Sequence, residues 1–365
     1  MGWPGRRKDY GYHPGSLMRF HLTIKAATVS DKEAWDNYVL SHSNGIAYQL
    51  FAWKEAVEKA YKFETCYLMA RDNRRIKGVL PLIIFKLPFS KKKLISLPYC
   101  DAGGPLADDT LIESALFQKS LEIAQSAKVS IRSTRPFSGL PSETTINQQK
   151  ARMLLNLPDG SDLLLAGLKA KVRSQVKKAH KNGLTSTLGF LDLLSDFYSV
   201  FSENMRDLGS PVHSRKWIHA ILKCYGNRAH VAVVYTSSGE PAAAGMILCH
   251  PRVVSIPWAS SLRRFNKLNP NMMLYWTFLK FAADNGYPAF DFGRSTPDEG
   301  TFRFKRQWGA YPEYLHWADF KQARQLSVPG SSISRNRRLA ESFIMHLPVC
   351  AATALGTAVR KYIPL

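Results

Sequence analysis

Paired cysteines are missing from this sequence. Cys66, Cys100, Cys224, Cys249 and Cys350 are odd in number, scattered, and never spaced as C-x-x-C. That pattern excludes a disulfide framework, argues against a structural zinc site, and fits a reducing, cytoplasmic setting. The motifs of several enzyme classes are absent as well. There is no G-x-S-x-G, no H-E-x-x-H, no Walker lysine loop and no G-x-G-x-x-G, and the ten histidines show no metal-ligand pairing. Common hydrolases, metalloenzymes and nucleotide-driven motors are thereby disfavoured, and no metal is expected. No apolar run reaches membrane-spanning length. The nearest, 343–359 (FIMHLPVCAATALGTAV), falls just short and carries His346 and Pro348. The opening MGWPGRRKDYGYHPGS is charged with no apolar stretch behind it, so it is not a secretory signal; 1–19 reads as a disordered lead. Acidic residues are scarce: 28 Asp and Glu face 50 Lys and Arg, a formal charge of +22. A field of that sign attracts polyanions such as RNA, nucleotide-activated substrates or an anionic membrane face.

What is present describes two globular units. At 365 residues and 45% hydrophobic, the chain is too long for one typical core and apolar enough to fill two. Residues 20–26 alternate like a strand, and helices follow over about 31–40 and 51–61. Strand-like runs come next at 64–71, 76–86 and 93–98, the first two joined by a turn at Asp72-Asn73, and then a helix over about 110–127. This is the element order of an acetyltransferase-type α/β domain. After a polar boundary at 134–150 the order repeats. Helices are expected at 162–182, 192–206 and 214–225, strands at 229–236, 242–250 and 252–259, a helix at 270–285 and a strand at 288–292. The units are therefore 20–150 and 151–320, followed by a basic linker and apolar helix at 321–365.

Three segments carry chemistry. In 162–182, Leu165, Leu168, Val172, Val176 and Ala179 form an apolar stripe, and Lys169, Arg173, Lys177 and Lys181 form a basic row uninterrupted by acids. Like charges at that spacing destabilise a helix, so the row points to a polyanion; a merely solvated face is the alternative. In 287–311, a strand ends at Asp291-Phe292, Gly293 permits a tight exit, and Arg294 stands at the strand's carboxyl edge, where ligands gather in open α/β sheets. Lys305 follows on a short helix, placed to stabilise an oxyanion, while Asp291 or Asp101 could take an amine proton. A surface role for Lys305 and a structural pairing of Asp291 with Arg294 weigh equally from spacing alone. In 269–276, Asn269-Pro270 opens a helix whose first turn, with Asn271, could receive an anion or carbonyl.

At these motifs the chain resembles the FemAB family of the GNAT acyltransferase group, and in particular the FemAB-related proteins of PEP-CTERM and exopolysaccharide systems. The segments that carry the resemblance are LPYCDAGGPLAD (97–108), KAKVRSQVKKAHKNGL (169–184), FSENMRDLGSPVHSRKW (201–217), PWASSLRRFNKLNPNMMLYW (257–276) and FDFGRSTPDEGTFRFKRQWGA (290–310). It implies two tandem GNAT-like domains with mixed, largely antiparallel sheets flanked by helices. It also implies transfer of an acyl or aminoacyl group to an amine, with aminoacyl-tRNA or acyl-CoA as donor and no tightly bound cofactor. The family's Phe-Lys pair falls on Phe304 and Lys305, its basic helix on Arg173 and Lys177, and its precursor cleft on the loop of Asp101, Gly103, Gly104 and Asp108. Trp258 stands where bridge-forming members tend to have tyrosine, and no long helical arm is inserted. These two departures count against peptidoglycan and tRNA substrates, while the absence of the Q/R-x-x-G-x-G/A loop of CoA-dependent members counts against CoA. The acceptor is then an amine of a cell-envelope or polysaccharide precursor, tRNA or the nucleotide-activated precursor being the anionic partner. The alternatives are a CoA-dependent N-acetyltransferase of a small amine or sugar and a non-catalytic scaffold binding RNA or polysaccharide. The final segment, 335–365, either docks on the protein's own surface or touches the inner face of the cytoplasmic membrane.

Overall fold

The computed structural model describes residues 22–73, 75–86, 92–125, 127–141, 144–321 and 334–364; for 334–338 it describes the backbone alone. The lead 1–19 lies outside these. The first half runs β1 (Leu22–Ala26), α1 (Lys32–Ser41), α2 (Phe51–Tyr61), β2 (Glu64–Asp72), β3 (Arg75–Phe85), β4 (Lys93–Ile95), β5 (Leu106–Ala107), α3 (Thr110–Ala124), β6 (Lys128–Ser133) and β7 (Thr144–Asn147). The second runs β8 (Ala151–Asn156), α4 (Ser161–Gly167), α5 (Ala170–Lys181), β9 (Thr185–Gly189), α6 (Leu194–Asp207), α7 (Arg215–Tyr225), β10 (Ala229–Tyr235), β11 (Pro241–His250), β12 (Val253–Ser261), α8 (Pro270–Asp284), β13 (Ala289–Ser295), α9 (Gly300–Gln307) and β14 (Tyr311–Tyr314). The chain closes with β15 (His316–Phe320), α10 (Ser334–Met345) and α11 (Val349–Val359).

Two mixed, mostly antiparallel sheets result, ordered β1-β2-β3-β4-β6-β15-β7, with β5 beside β3, and β14-β8-β13-β12-β11-β10-β9. Each contains one parallel pair, β4 with β6 and β12 with β13. The units are not contiguous in sequence. β15 follows the whole second unit yet pairs with β6 and β7 of the first sheet.

Strand parity explains the layers. Along β2, Tyr67 and Met69 face one core and Leu68 and Ala70 another; along β10, Val231 and Val233 face one and Ala232 and Val234 another. Both strands are thus near-continuous hydrophobic runs, as sheets covered on both faces require. α3 covers the outer face of the first sheet, and α5 and α8 that of the second. The shared inner core holds α1 and α2 against α6 and α7. There Trp53 meets Trp217 edge-on at 5.3 Å, and Tyr61 stacks on Trp217 at 5.1 Å. These aromatic contacts lie in a core that both halves of the chain share.

Two expected helices are broken. The run 162–182 divides because Leu168 and Lys169 are extended (ψ 149° and 142°), and the Arg173 guanidinium bridges the break by donating to the carbonyls of Ala166 (3.1 Å) and Leu168. The apolar stripe survives the break, with Leu168, Val172, Val176 and Ala179 all buried. The run 343–359 divides at Leu347-Pro348, since proline cannot continue a helix but starts one well.

Candidate active site

The site grows from the parallel pair β12–β13. These strands pair only at Val254–Phe290 and Ser255–Asp291 and then part. On its other side β13 slips register against β8 between Asp291 and Arg294. Gly293, at φ +73°, makes this bend, and a Cβ there would lie 3.2 Å from the Ile256 carbonyl oxygen. Between the splayed strands lies a cavity of about 350 Å³, a volume suited to a small-molecule group. Ile256–Ala259 and Phe292–Arg294 wall it, Lys305 and Tyr275 lie at its back, and Tyr48 and Tyr99–Asp101 reach in from the first unit. α6 contributes Phe201 and Met205, and His213 and Arg360 complete the lining.

Lys305 is buried on α9. Its ammonium donates to the carbonyls of Gly293 (3.0 Å) and Arg294 (2.8 Å), leaving one of three hydrogens for a group in the cavity. Burial pushes this amine down to about 8, against the pull of the Asp101 and Asp291 carboxylates. The Asp101 carboxylate accepts the backbone N–H of Arg294 (3.1 Å) and lies 3.4 Å from the Arg294 guanidinium. Arg294 and Arg132 each hold a guanidinium 5.5 Å from the Trp317 ring, and the Trp317 indole donates to the Asp101 carbonyl (3.1 Å). β15 therefore returns to the first sheet carrying the tryptophan that sits between these two arginines.

Asp291 is not among the residues that line the cavity. It accepts the N–H of Gly293 (2.8 Å), with Arg152 3.9 Å off, and burial pushes its carboxyl above the ordinary value despite that cation. Its carboxylate thus braces the bend at Gly293.

Residues 167–306 match the family model of the acetyltransferase (GNAT) domain. The GNAT assignment applies to that segment; over most of its length the chain's fold is similar to those of FemX and of a tandem GNAT protein. FemX superposes at TM-score 0.64 with 16% identity, over 82% of this chain and 97% of FemX. The C-terminal domain assigned to a lysylphosphatidylglycerol synthetase of Agrobacterium fabrum gives 0.54 and 13%, covering 80% and 93%. A tandem GNAT protein from the clavulanic acid biosynthesis pathway gives 0.51 and 11%, covering 81% and 98%. No curated protein sequence matches the chain.

The residues singled out from sequence fall into three places. Asp101, Trp258, Arg294 and Lys305 line one cavity. Asp291, Gly103, Gly104 and Phe304 lie behind or beside it. Gly103 has no room for a Cβ against the Leu97 side chain, and its N–H donates to the Arg132 carbonyl (3.0 Å). The Gly104 carbonyl accepts from Gln49 (2.8 Å), and Phe304 packs on Tyr275 at 5.1 Å. The others stand apart. Arg173 and Lys177 lie on α5 across the second sheet's outer core, Lys177 exposed. Asn271 lies on α8, outside the lining, and Asp108 is tied to Tyr38 (2.9 Å) and Lys77 (3.1 Å) on the first unit.

Sequence reading missed Tyr48, Tyr99, His213, Arg132, Trp317 and Arg360. His213 lies within the quoted segment 201–217, and Arg360 was visible only as one basic residue after an apolar run. No periodicity marks either, because tertiary packing alone brings them to the cavity. Among the described residues no His, Cys, Asp and Glu cluster could hold a metal, and no helix is long and apolar enough to cross a membrane.

Proposed function

We propose that this protein transfers an acyl or aminoacyl group to an amine of a cell-envelope or polysaccharide precursor, with the reaction in the cavity between β12 and β13. The observation that carries the reading is the buried Lys305 ammonium, two hydrogens bound to the β13 backbone and one left for the cavity, facing a loop of the other domain. The acceptor amine attacks the carbonyl of an ester or thioester, and the Lys305 N–H donates to the oxygen that becomes negative. A C–N bond forms, the C–O or C–S bond breaks, and the leaving group departs with a proton. Asp101 accepts the amine proton; Asp291 positions Gly293 and so aims Lys305. The ester of a charged tRNA is already activated, and alignment supplies most of the acceleration.

Aminoacyl-tRNA is the donor this reading favours, on the exposed Lys177 and Lys181 of α5 and the absence of a CoA pyrophosphate loop. FemX and the lysylphosphatidylglycerol synthetase domain share the fold, which is in keeping with envelope chemistry. The reading also keeps 335–365 near an anionic membrane. α10 and α11 pack on α6 through Ile344, Ala352 and Gly356, yet leave Leu339 and Phe343 exposed by 64% and 60%, just after Arg335, Arg337 and Arg338 in sequence.

The test is transfer of label from charged tRNA and from acetyl-CoA, side by side, to an amine-bearing envelope precursor, with wild type and Lys305→Ala. Transfer from charged tRNA that the substitution lowers by about 10² to 10³ is expected. Unchanged transfer by a folded Lys305→Ala protein removes Lys305 from the mechanism, and transfer from acetyl-CoA alone replaces the donor.

A further inference from the structure

The end of the chain is built into the cavity. α11 packs on α6 and on the loop that follows it, where a methyl on Gly356 would lie 2.7 Å from the Val212 nitrogen. Beyond it the chain crosses to the first unit. The Tyr99 hydroxyl donates to the Lys361 carbonyl (2.5 Å), the Tyr99 N–H to the Pro364 carbonyl (2.8 Å), and Arg132 to that same carbonyl (3.2 Å). These bonds place Arg360 in the cavity lining with Arg294; burial, with a smaller push from the Arg294 charge, lowers the Arg360 guanidinium's affinity for its proton. One Arg360 nitrogen, Nη1, donates to the Ile363 carbonyl (2.8 Å), and Nε is buried with no partner among the described residues.

A second group points to a ligand. His213 is 1% exposed, bonds the Tyr61 hydroxyl through Nδ1 (2.7 Å), and lines the cavity with Nε2 buried and unpartnered. In the tautomer in which Tyr61 donates to Nδ1, Nε2 carries the hydrogen and donates outward. The Arg360 Nε and the His213 Nε2 thus lack an acceptor among the described residues, beside the Arg294 guanidinium in the same lining. Asp101, the carboxylate in the lining, is already bonded to Arg294.

We propose that Arg360, delivered by the C-terminal segment, acts with Arg294 and His213 as the subsite for an anionic group of the substrate, a carboxylate or a phosphate. It deepens the transferase reading by giving the substrate's charge. Guanidinium forks match both anions in geometry, and a dry wall strengthens the pairing.

Binding can be read without any transfer reaction. Trp258 lines the cavity and Trp317 touches Arg294, so tryptophan fluorescence reports occupancy. The probes are acetate and inorganic phosphate, each titrated at constant ionic strength into full-length wild type, Arg360→Gln, Arg360→Lys and a surface control, Lys25→Gln. Saturable binding is expected for wild type and control, weakened roughly tenfold or more by Arg360→Gln and partly restored by Arg360→Lys. Whichever probe binds more tightly assigns the group as carboxylate or phosphate. Equal binding by wild type and a folded Arg360→Gln protein overturns the proposal, as does no saturable binding of either anion to wild type. If the anions bind as expected and no acyl transfer is found, the subsite stands and the transferase reading falls.

Discussion

The buried Lys305 makes stability depend on pH in a direction opposite to that of a salt-bridged lysine. An ordinary lysine amine titrates near 10.5, and burial lowers this one to about 8. Below about pH 8 both folded and unfolded chains hold the proton, and the folded state bears the whole cost of burying the charge. From about 8 to 10.5 the unfolded chain binds the proton that the folded chain has lost. Stability therefore rises with pH through that window, and above 10.5 no further change comes from this group. A shift of about 2.5 pH units corresponds to about 3 kcal/mol, an order-of-magnitude figure. Lys305→Met removes the titration, though it leaves the Gly293 and Arg294 carbonyls without their donor. Denaturant unfolding of both proteins at pH 7.5 and at pH 10.5 isolates the effect. Other lysines and the buried tyrosines titrate in both proteins and cancel in the difference. Wild type is expected to gain on the variant by about 3 kcal/mol across the window. A wild-type-minus-variant difference that stays flat from pH 7.5 to 10.5 would mean that Lys305 is solvated, and the oxyanion argument would lose its basis. The same proton governs the proposed chemistry, so transfer by wild type should decline as pH rises through about 8.

Two other predictions use different surfaces. Lys177→Gln, far from the cavity, should weaken binding of charged tRNA and reduce the slope of log K against log salt by about one; an unaltered slope would place the tRNA elsewhere. Leu339→Ser with Phe343→Ser should lower co-sedimentation with phosphatidylglycerol vesicles roughly tenfold or more, since each side chain loses about 1.5–3 kcal/mol of apolar burial. Failure of the wild type itself to co-sediment would leave α10 and α11 as a brace for Arg360 and nothing more.

Much of the scaffold was legible in the sequence because local rules dictate it. Hydrophobic runs in β2, β10 and β11, the cap at Ser214, the proline opening α8 and the turn at Asn73, whose φ is +55°, each specify an element with no reference to distant chain. The edge position of Arg294 followed from Gly293, and Lys305 from its offset to that bend. The expected long helix over 162–182 failed at Leu168, where a tertiary requirement, turning the chain onto the second sheet, overrode a continuous apolar stripe.

The sequence by itself determined most of the helices and strands and the net positive charge, since spacing along one segment encodes the first and composition the second. Only the tertiary structure decided that β15 crosses back to the first sheet, that Asp101 lines the cavity while Asp291 does not, and that Arg360 reaches the cavity from 55 residues beyond Lys305. The physical reason is that a cavity wall is assembled from contacts between distant segments. Their energies come from complementary shape and desolvation at the point of meeting, and neither quantity exists until the chain has folded.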